Sequence, residues 1–376
     1  MTARLLMTAR LRTRIGVGAA LAVIGLLLVL PGPSRPAPSR PPASSGPAGP
    51  TLASVWPKAK PFPIQAVFPD GSAYTPVLVL DPTASVGVLA SADGQHTDLV
   101  EVPATGPPRI LAAQSVADGG SFDGINISAG NIYWMHTLSD REGKARITLW
   151  TAPRSGGPAR PLSTDVGAPV FYGSQYDVQP VGDRLYWAAG LDGHPDQTEL
   201  RSIPLTGGPV TVQVLPGAWA MSKWPWLVTA PSATGQPTRL KNLTTGQVTT
   251  VKAPANKQVT CNPTWCRVIP DNAAQATETD LIRPDGSDLR VIGDAEAAAI
   301  ASDVAMLDRF EVLMSIVNSG SRIAVSKLML YDIAGKRSIL VDPAATNAGA
   351  RGGFLWWSTG DNETLAWHGL DLRTLT

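Results

Sequence analysis

Three aspartates, Asp123, Asp177 and Asp303, stand at a near-constant distance before the turn glycines Gly157, Gly208 and Gly335. Carboxylates brought together from several strands can ligate a hard cation or hold a polar ligand. The simpler reading of each is a solvated side chain at a strand entry. A second set, Asp140, Asp192, His194 and Asp271, falls in the longer loops 138–145, 190–197 and 270–278. Loops carried on a rigid scaffold are where ligand contacts concentrate, although these residues are polar loop members first. Both cysteines lie in Cys261-Asn262-Pro263-Thr264-Trp265-Cys266. Four turn-forming residues between them fit a disulfide pinning a hairpin, and the spacing is not the C-x-x-C of a redox pair. The histidines, His96, His136, His194 and His368, are scattered. No paired-histidine zinc motif, Gly-x-Ser-x-Gly elbow, P-loop or dinucleotide fingerprint occurs in a fitting context. The sequence thus predicts no catalytic residue, no metal ligand set and no cofactor.

The elements that would position these residues repeat. Leu99-Val100-Glu101-Val102 leads to Gly106, Leu149-Trp150-Thr151-Ala152 to Gly156-Gly157, and Leu200-Arg201-Ser202-Ile203 to Gly207-Gly208. The same strand-and-turn unit returns at Leu240-Lys241-Asn242-Leu243, Asp280-Leu281-Ile282-Arg283 and Leu330-Tyr331-Asp332-Ile333. A hairpin recurring every ~40–50 residues has the period of a four-stranded propeller blade. Upstream of the hairpins run aromatic strands, Ile132-Tyr133-Trp134, Leu185-Tyr186-Trp187, Trp226-Leu227-Val228 and Phe354-Leu355-Trp356-Trp357. Their rings would fill the space between neighbouring blades as second strands.

The fold class expected is all-β: a seven-bladed propeller of four-stranded blades. The last repeat, Leu365 to Leu372, supplies only a third strand before the sequence ends. Residues 62–68 resemble an outer strand and are expected to complete that blade, which would cover two open edges at once.

Residues 1–56 hold six arginines and no lysine, aspartate or glutamate. Removing those six from 31 Lys and Arg leaves fewer bases than the 30 acids, so the folded part is mildly acidic. That excludes a nucleic-acid partner that would need a basic face. Arg4, Arg10, Arg12 and Arg14 precede an apolar run, Ile15 to Leu30, the charge order of a segment inserting with its N-terminus in the cytoplasm. As a helix the run would span ~24 Å of a core of ~30 Å, between a signal peptide and a membrane anchor. Pro31-Gly32-Pro33, where a cleavage site would fall, favours retention; cleavage and secretion are the alternative. Eight prolines in residues 31–50 suit an extended spacer. The expected domains are a basic segment 1–14, an anchor or signal peptide 15–30, a Pro-rich stalk 31–56 and a propeller 57–376.

The cysteine clasp, the Tyr-Trp strands and the hairpin Leu149-Trp150-Thr151-Ala152-Pro153-Arg154-Ser155-Gly156-Gly157 make residues 60–376 resemble exported TolB-like, WD40-like propeller proteins of actinobacteria. The strands are also similar to YWTD-type propellers, although the Thr-Asp pair is absent. The resemblance implies a propeller fold and an envelope location, and the propeller is expected to be monomeric; the shared motifs are structural, and this fold hosts many functions. The expected function is an extracytoplasmic, non-catalytic binding or scaffolding propeller attached through residues 15–30, with an envelope protein or polar ligand as partner. An exported hydrolase or lyase with carboxylates at the channel mouth is the alternative.

Overall fold

Antiparallel strands with alternating buried and exposed side chains make up nearly all of the computed structural model, as in Ala73–Asp81, where Tyr74 points inward and Thr75 outward. The structure describes residues 49–139, 143–230, 237–254, 257–270, 279–293, 297–300, 303–317, 325–361 and 363–376. The expected anchor at 15–30 and most of the stalk lie outside these. Among the described residues no helix is long and apolar enough to cross a membrane.

The chain enters through a short helix, Leu52–Val55, and strand β1, Phe62–Ile64. Four successive strands then pair into a first sheet: β2 (Ala73–Asp81), β3 (Ala84–Ala90), β4 (Thr97–Val102) and β5 (Arg109–Ala112). The second sheet is β6 (Gly120–Ser128), β7 (Asn131–Ser139), β8 (Ala145–Pro153) and β9 (Arg160–Ser163). In the third, β10 (Ala168–Pro169) and β11 (Val178–Val181) both pair with β12 (Arg184–Leu191), followed by β13 (His194–Pro204) and β14 (Thr211–Pro216). The fourth is β15 (Trp219–Met221), β16 (Trp226–Thr229), β17 (Arg239–Asn242) and β18 (Val248–Thr250). The fifth is β19 (Lys257–Cys261), β20 (Cys266–Pro270), β21 (Asp280–Ile282) and β22 (Arg290–Val291).

The remaining strands form one continuous sheet: β23 (Ala297–Ala299), β24 (Phe310–Val317), β25 (Val325–Asp332), β26 (Arg337–Arg351), β27 (Phe354–Thr359) and β28 (Ala366–Asp371), with β1 on its far edge. Strand β26 serves two four-stranded sets. Its first part pairs with β25 and its last part with β27, with a register shift at Ala345/Asn347. The aromatic segments predicted as second strands are β7, β12, β16 and β27. The cysteine clasp joins β19 to β20, and the two sulfurs are bonded.

Each sheet buries its faces against its neighbours in chain order. Trp134 and Ile132 of the second sheet pack with Val86 and Leu99 of the first, and Tyr133 with Trp187 and Leu185 of the third. Ala188 meets Trp219 and Leu227, Leu240 meets Val268 and Ile282, and Trp265 meets Leu313 and Tyr331. The long last sheet is wedged by Leu52, Trp56, Phe310, Leu330, Trp357 and Leu370. Then Phe354, Trp356 and Trp367 close onto Val79 of the first sheet, and the Trp367 indole donates to the Tyr74 carbonyl at 2.9 Å.

The expected closing strand is present but shorter than residues 62–68. Phe62–Ile64 pairs antiparallel with Gly369, His368 and Trp367 of β28. Beyond Ile64 the chain leaves the sheet, and Phe68 packs edge-on against Tyr74. Gly369 is required here, because a Cβ at that position would lie 2.3 Å from the Phe62 ring. The packed region also starts before residue 57: Leu52 and Trp56 are buried and the Leu340 amide donates to the Pro50 carbonyl at 2.9 Å. The boundary was missed because proline density there masked a two-residue hydrophobic anchor.

Deleting residues 60–68 should destabilise the protein by on the order of 3–5 kcal/mol, lowering the melting temperature by about 10 °C. Unchanged melting in a thermal scan would show that the β1–β28 pairing closes nothing of consequence.

Candidate functional site

The first strand of the third sheet is interrupted. β10 pairs with Gly190 and Ala189 and β11 resumes opposite Trp187, while residues 171–177 loop out. The loop is folded on its own last residue: Asp177 Oδ2 accepts the amides of Tyr172 at 2.9 Å and Ser174 at 3.1 Å. Gly173, at φ 69°, turns the chain between them.

From this turn and the strand that follows it, polar bonds reach three other sheets. Ser174 Oγ donates to Asp303 Oδ1 at 2.5 Å and the Gln175 amide to Asp303 Oδ2 at 3.2 Å. Gln175 Oε1 accepts from the Gly352 amide, between β26 and β27, at 3.2 Å. Asn126 of β6 donates to the carbonyls of Gln175 and Val178. Gln179 holds the fourth sheet, donating to the Ser222 carbonyl at 2.7 Å and accepting from the Trp224 amide at 3.0 Å. Gly124 permits the approach of β6, since a Cβ there would come within 2.3 Å of Val178. A segment bonded to so many sheets distant in sequence sits where their first strands converge.

The charged groups of this junction come in opposed pairs. Arg267 Nε donates to Glu311 Oε1 at 2.5 Å and its Nη2 to the Asp303 carbonyl at 3.1 Å. Glu311 is fully buried and also accepts the Ala305 amide at 2.7 Å. Burial pushes its carboxyl above the ordinary range, opposed by Arg267. Asp177 is pushed up to about 7, chiefly by burial, with the loop amides and Arg351 pulling down and Asp303 pushing up. Arg351 faces both Asp177 and Asp303, and burial lowers its pKa against their attraction. Its Nη2 atom is buried with no hydrogen-bond partner among the described residues. Three carboxyls and two guanidiniums balance when one carboxyl is protonated, and Asp177 has the environment for it.

Beside the loop is a cavity of about 280 Å³. Tyr172, Ser174 and Tyr176 form one wall, with Met221, Thr229 and Val259 among the residues opposite. Cys261, Asn262, Arg267 and Asp303 also line it. Asn262 donates to the Val304 carbonyl at 2.8 Å, so the disulfide hairpin and the Asp303 segment are tied together.

Of the three aspartates singled out in the sequence, the structure brings two together. Asp177 and Asp303 are bridged by Ser174, whose amide goes to one and whose hydroxyl goes to the other. Asp303 is not at the start of a first strand as expected; it follows β23. Asp123 does not join them. It lies within β6, accepts from Ser121 Oγ at 2.5 Å, and its pKa is raised by burial alone against that bond. Asp192 and His194 are exposed on the β12–β13 hairpin and do not line the cavity. Asp140 and Asp271 lie outside the described residues. Among the described residues no cluster of His, Cys, Asp or Glu could hold a metal ion. Arg267, Glu311, Arg351 and the two tyrosines were not foreseen. The one signal was the run Tyr172-Gly173-Ser174-Gln175-Tyr176-Asp177, which breaks the strand pattern of the repeat.

Four-stranded antiparallel sheets packed face to face in chain order are consistent with a β-propeller. No family model matches the chain, and no curated protein matches it. Among solved structures, it is similar to a puromycin-hydrolysing peptidase of Mycobacterium tuberculosis at 15% identity and TM-score 0.49, over 88% of this chain and 54% of that one. An oligogalacturonate lyase from Vibrio parahaemolyticus matches at 8% identity and TM-score 0.47, over 83% of this chain and 96% of that one. The β-propeller domain of the Trilobed protease from Pyrococcus furiosus matches at 12% identity and TM-score 0.41, over 64% and 79%. The chain spans about half the length of the peptidase (54%).

A carboxyl with a folded pKa above its unfolded value holds its proton longer in the folded state, so its stabilising effect is full at low pH and is lost as pH rises. For Asp177 the window runs from about 4 up to about 7. In urea unfolding, the stability of wild type minus that of Asp177→Asn should therefore fall by up to about 4 kcal/mol across that window. A difference independent of pH would show that the carboxyl titrates normally.

Proposed function

We propose that this chain is a seven-bladed propeller, closed by β1, held outside the cytoplasm, that binds a small molecule in the cavity beside the 171–177 loop. Seven apolar clusters, each shared by neighbouring sets of strands and returning from the last to the first, support the blade count. Strand β26 then ends one blade and begins the next. The disulfide, together with the arginine-led apolar segment 15–30, supports an oxidising compartment and attachment to the envelope. The resemblance to exported TolB-like proteins agrees with that location.

The observation that carries the binding reading is the loop itself. Bonded across the first strands of several sheets, it converts part of the space at the centre of the ring into a walled cavity of about 280 Å³. Polar groups fixed by their own partners around a concave, largely apolar surface are the usual make-up of a ligand site.

A second reading rests on the Asp177–Ser174–Asp303 bridge. A carboxyl with a pKa near 7 beside another carboxylate is placed to donate and accept protons, as an exported hydrolase or lyase would need.

Equilibrium dialysis of the purified full-length chain against a small-molecule extract, read by mass spectrometry, tests the proposal. Wild type should enrich a compound that Val259→Trp, which fills the cavity, does not. Equal enrichment by both proteins would remove the cavity as the site. Chemical conversion of the compound by wild type, abolished in Asp177→Asn, would establish the catalytic reading instead.

A further inference from the structure

We infer that the cavity takes a neutral, hydroxyl-bearing ring compound, a single sugar or a cyclic polyol; this rests on the binding reading above and adds the ligand's chemistry to it.

Size gives the first limit. A cavity of about 280 Å³ falls just under the ~300–1,000 Å³ of sites for drug-sized ligands and holds about nine waters. One substituted six-membered ring fills such a space.

The walls give the second. Tyr172, Tyr176, Met221, Val228 and Val259 offer apolar surface, while Ser222 and Thr260 bring hydroxyls. A hydroxyl both donates and accepts, so it pairs with another hydroxyl in either sense. Sugar rings present apolar C–H faces and a hydroxylated rim, matching aromatic walls and hydroxyls together. Burial and Asp177 push the Tyr172 phenol up to about 12, and burial with Asp303 raises that of Tyr176. Both phenols therefore remain uncharged donors.

Charge gives the third, and it decides the class. Among the described residues, Arg267 and Asp303 are the charged ones lining the cavity, and both are engaged with protein partners. Arg267 is held by Glu311 and the Asp303 carbonyl, and the Asp303 carboxylate by Ser174 Oγ and the Gln175 amide. An anion would meet Arg267 already paired with Glu311, and a cation would meet Asp303 already hydrogen-bonded and facing Arg351, so either would surrender its hydration without gaining a free counter-charge. A neutral ring avoids that loss.

Galactose, galacturonate and galactosamine share one ring and differ in charge, so saturation-transfer NMR and calorimetry on the full-length chain separate the possibilities, with myo-inositol and N-acetylglucosamine as further neutral probes. The expected result is binding of at least one neutral ring about tenfold tighter than either charged analogue, lost in Val259→Trp and weakened in Tyr176→Ala. A charged analogue that binds as well or better, and is likewise lost in Val259→Trp, overturns the ligand class but leaves the cavity as the site. If no neutral probe binds while dialysis yields an ionic compound excluded by Val259→Trp, the class is again overturned. If no probe binds and wild type and Val259→Trp behave alike in dialysis, the binding reading fails and takes this inference with it.

Discussion

The antiparallel pairing of Phe62–Ile64 with Trp367, His368 and Gly369 is the contact on which the rest of the structure depends. A sheet with two apolar faces is stable only when both are covered, and a linear row of such sheets would leave one face bare at each end. Here the two end faces cover one another: Phe354, Trp356 and Trp367 lie against Val79, and β1 supplies the strand that the C-terminal set lacks. The partner in sequence is about as remote as the chain allows, so closure comes at a large loop-entropy cost that local contacts do not meet. The N-terminal helix and Trp56 extend the same join, with Trp56 edge-on to Phe310 at 5.8 Å.

Closure also fixes what the interior can be. Where the sheets meet, side chains such as Asp177, Asp303 and Glu311 are removed from bulk water. The 171–177 loop meets that condition by satisfying its neighbours bond for bond, including amides and carbonyls that would be costly to bury unpaired. Its charged groups obey the same rule. Arg267 with Glu311, and Arg351 with Asp303 and Asp177, leave a surplus carboxyl, and burial pushes the Asp177 carboxyl up to about 7, toward holding its proton. Burial thus explains the shifted pKa without any appeal to catalysis.

How much of this was legible in the sequence follows from the range of the interactions involved. The hairpins, the aromatic second strands such as Tyr133 and Trp187, and the Cys261–Cys266 clasp are local patterns and read directly. The closing strand was legible because an incomplete last repeat demands a partner, but its extent was overestimated: Gln65 to Phe68 share strand-like composition yet turn away toward Tyr74. Asp177 and Asp303 were found by spacing, and their meeting depends on Ser174, marked locally only by the break that Tyr172 to Asp177 makes in the strand pattern. The same spacing picked Asp123, whose partner is its own neighbour Ser121. Arg351 was invisible because it ends a strand that belongs to two sets at once, and no repeat pattern anticipates β26 running on without a turn.

The cavity inherits its rigidity from these same ties, which bears on how tightly it could hold a ligand. Its walls come from segments far apart in sequence, yet each is fixed before any ligand arrives. The loop is held by Asp177 and Asp303, the Asn262 turn by the disulfide and the Val304 carbonyl, and Met221 by strand pairing in β15. Side chains already in place lose little entropy on binding, so modest contacts convert more fully into affinity. The shape of the cavity is set by the same ties, since its loop, its disulfide turn and β15 each have protein partners. Selectivity at such a site comes from exclusion by size and by unpaired charge, both of which follow from the packing that closes the ring.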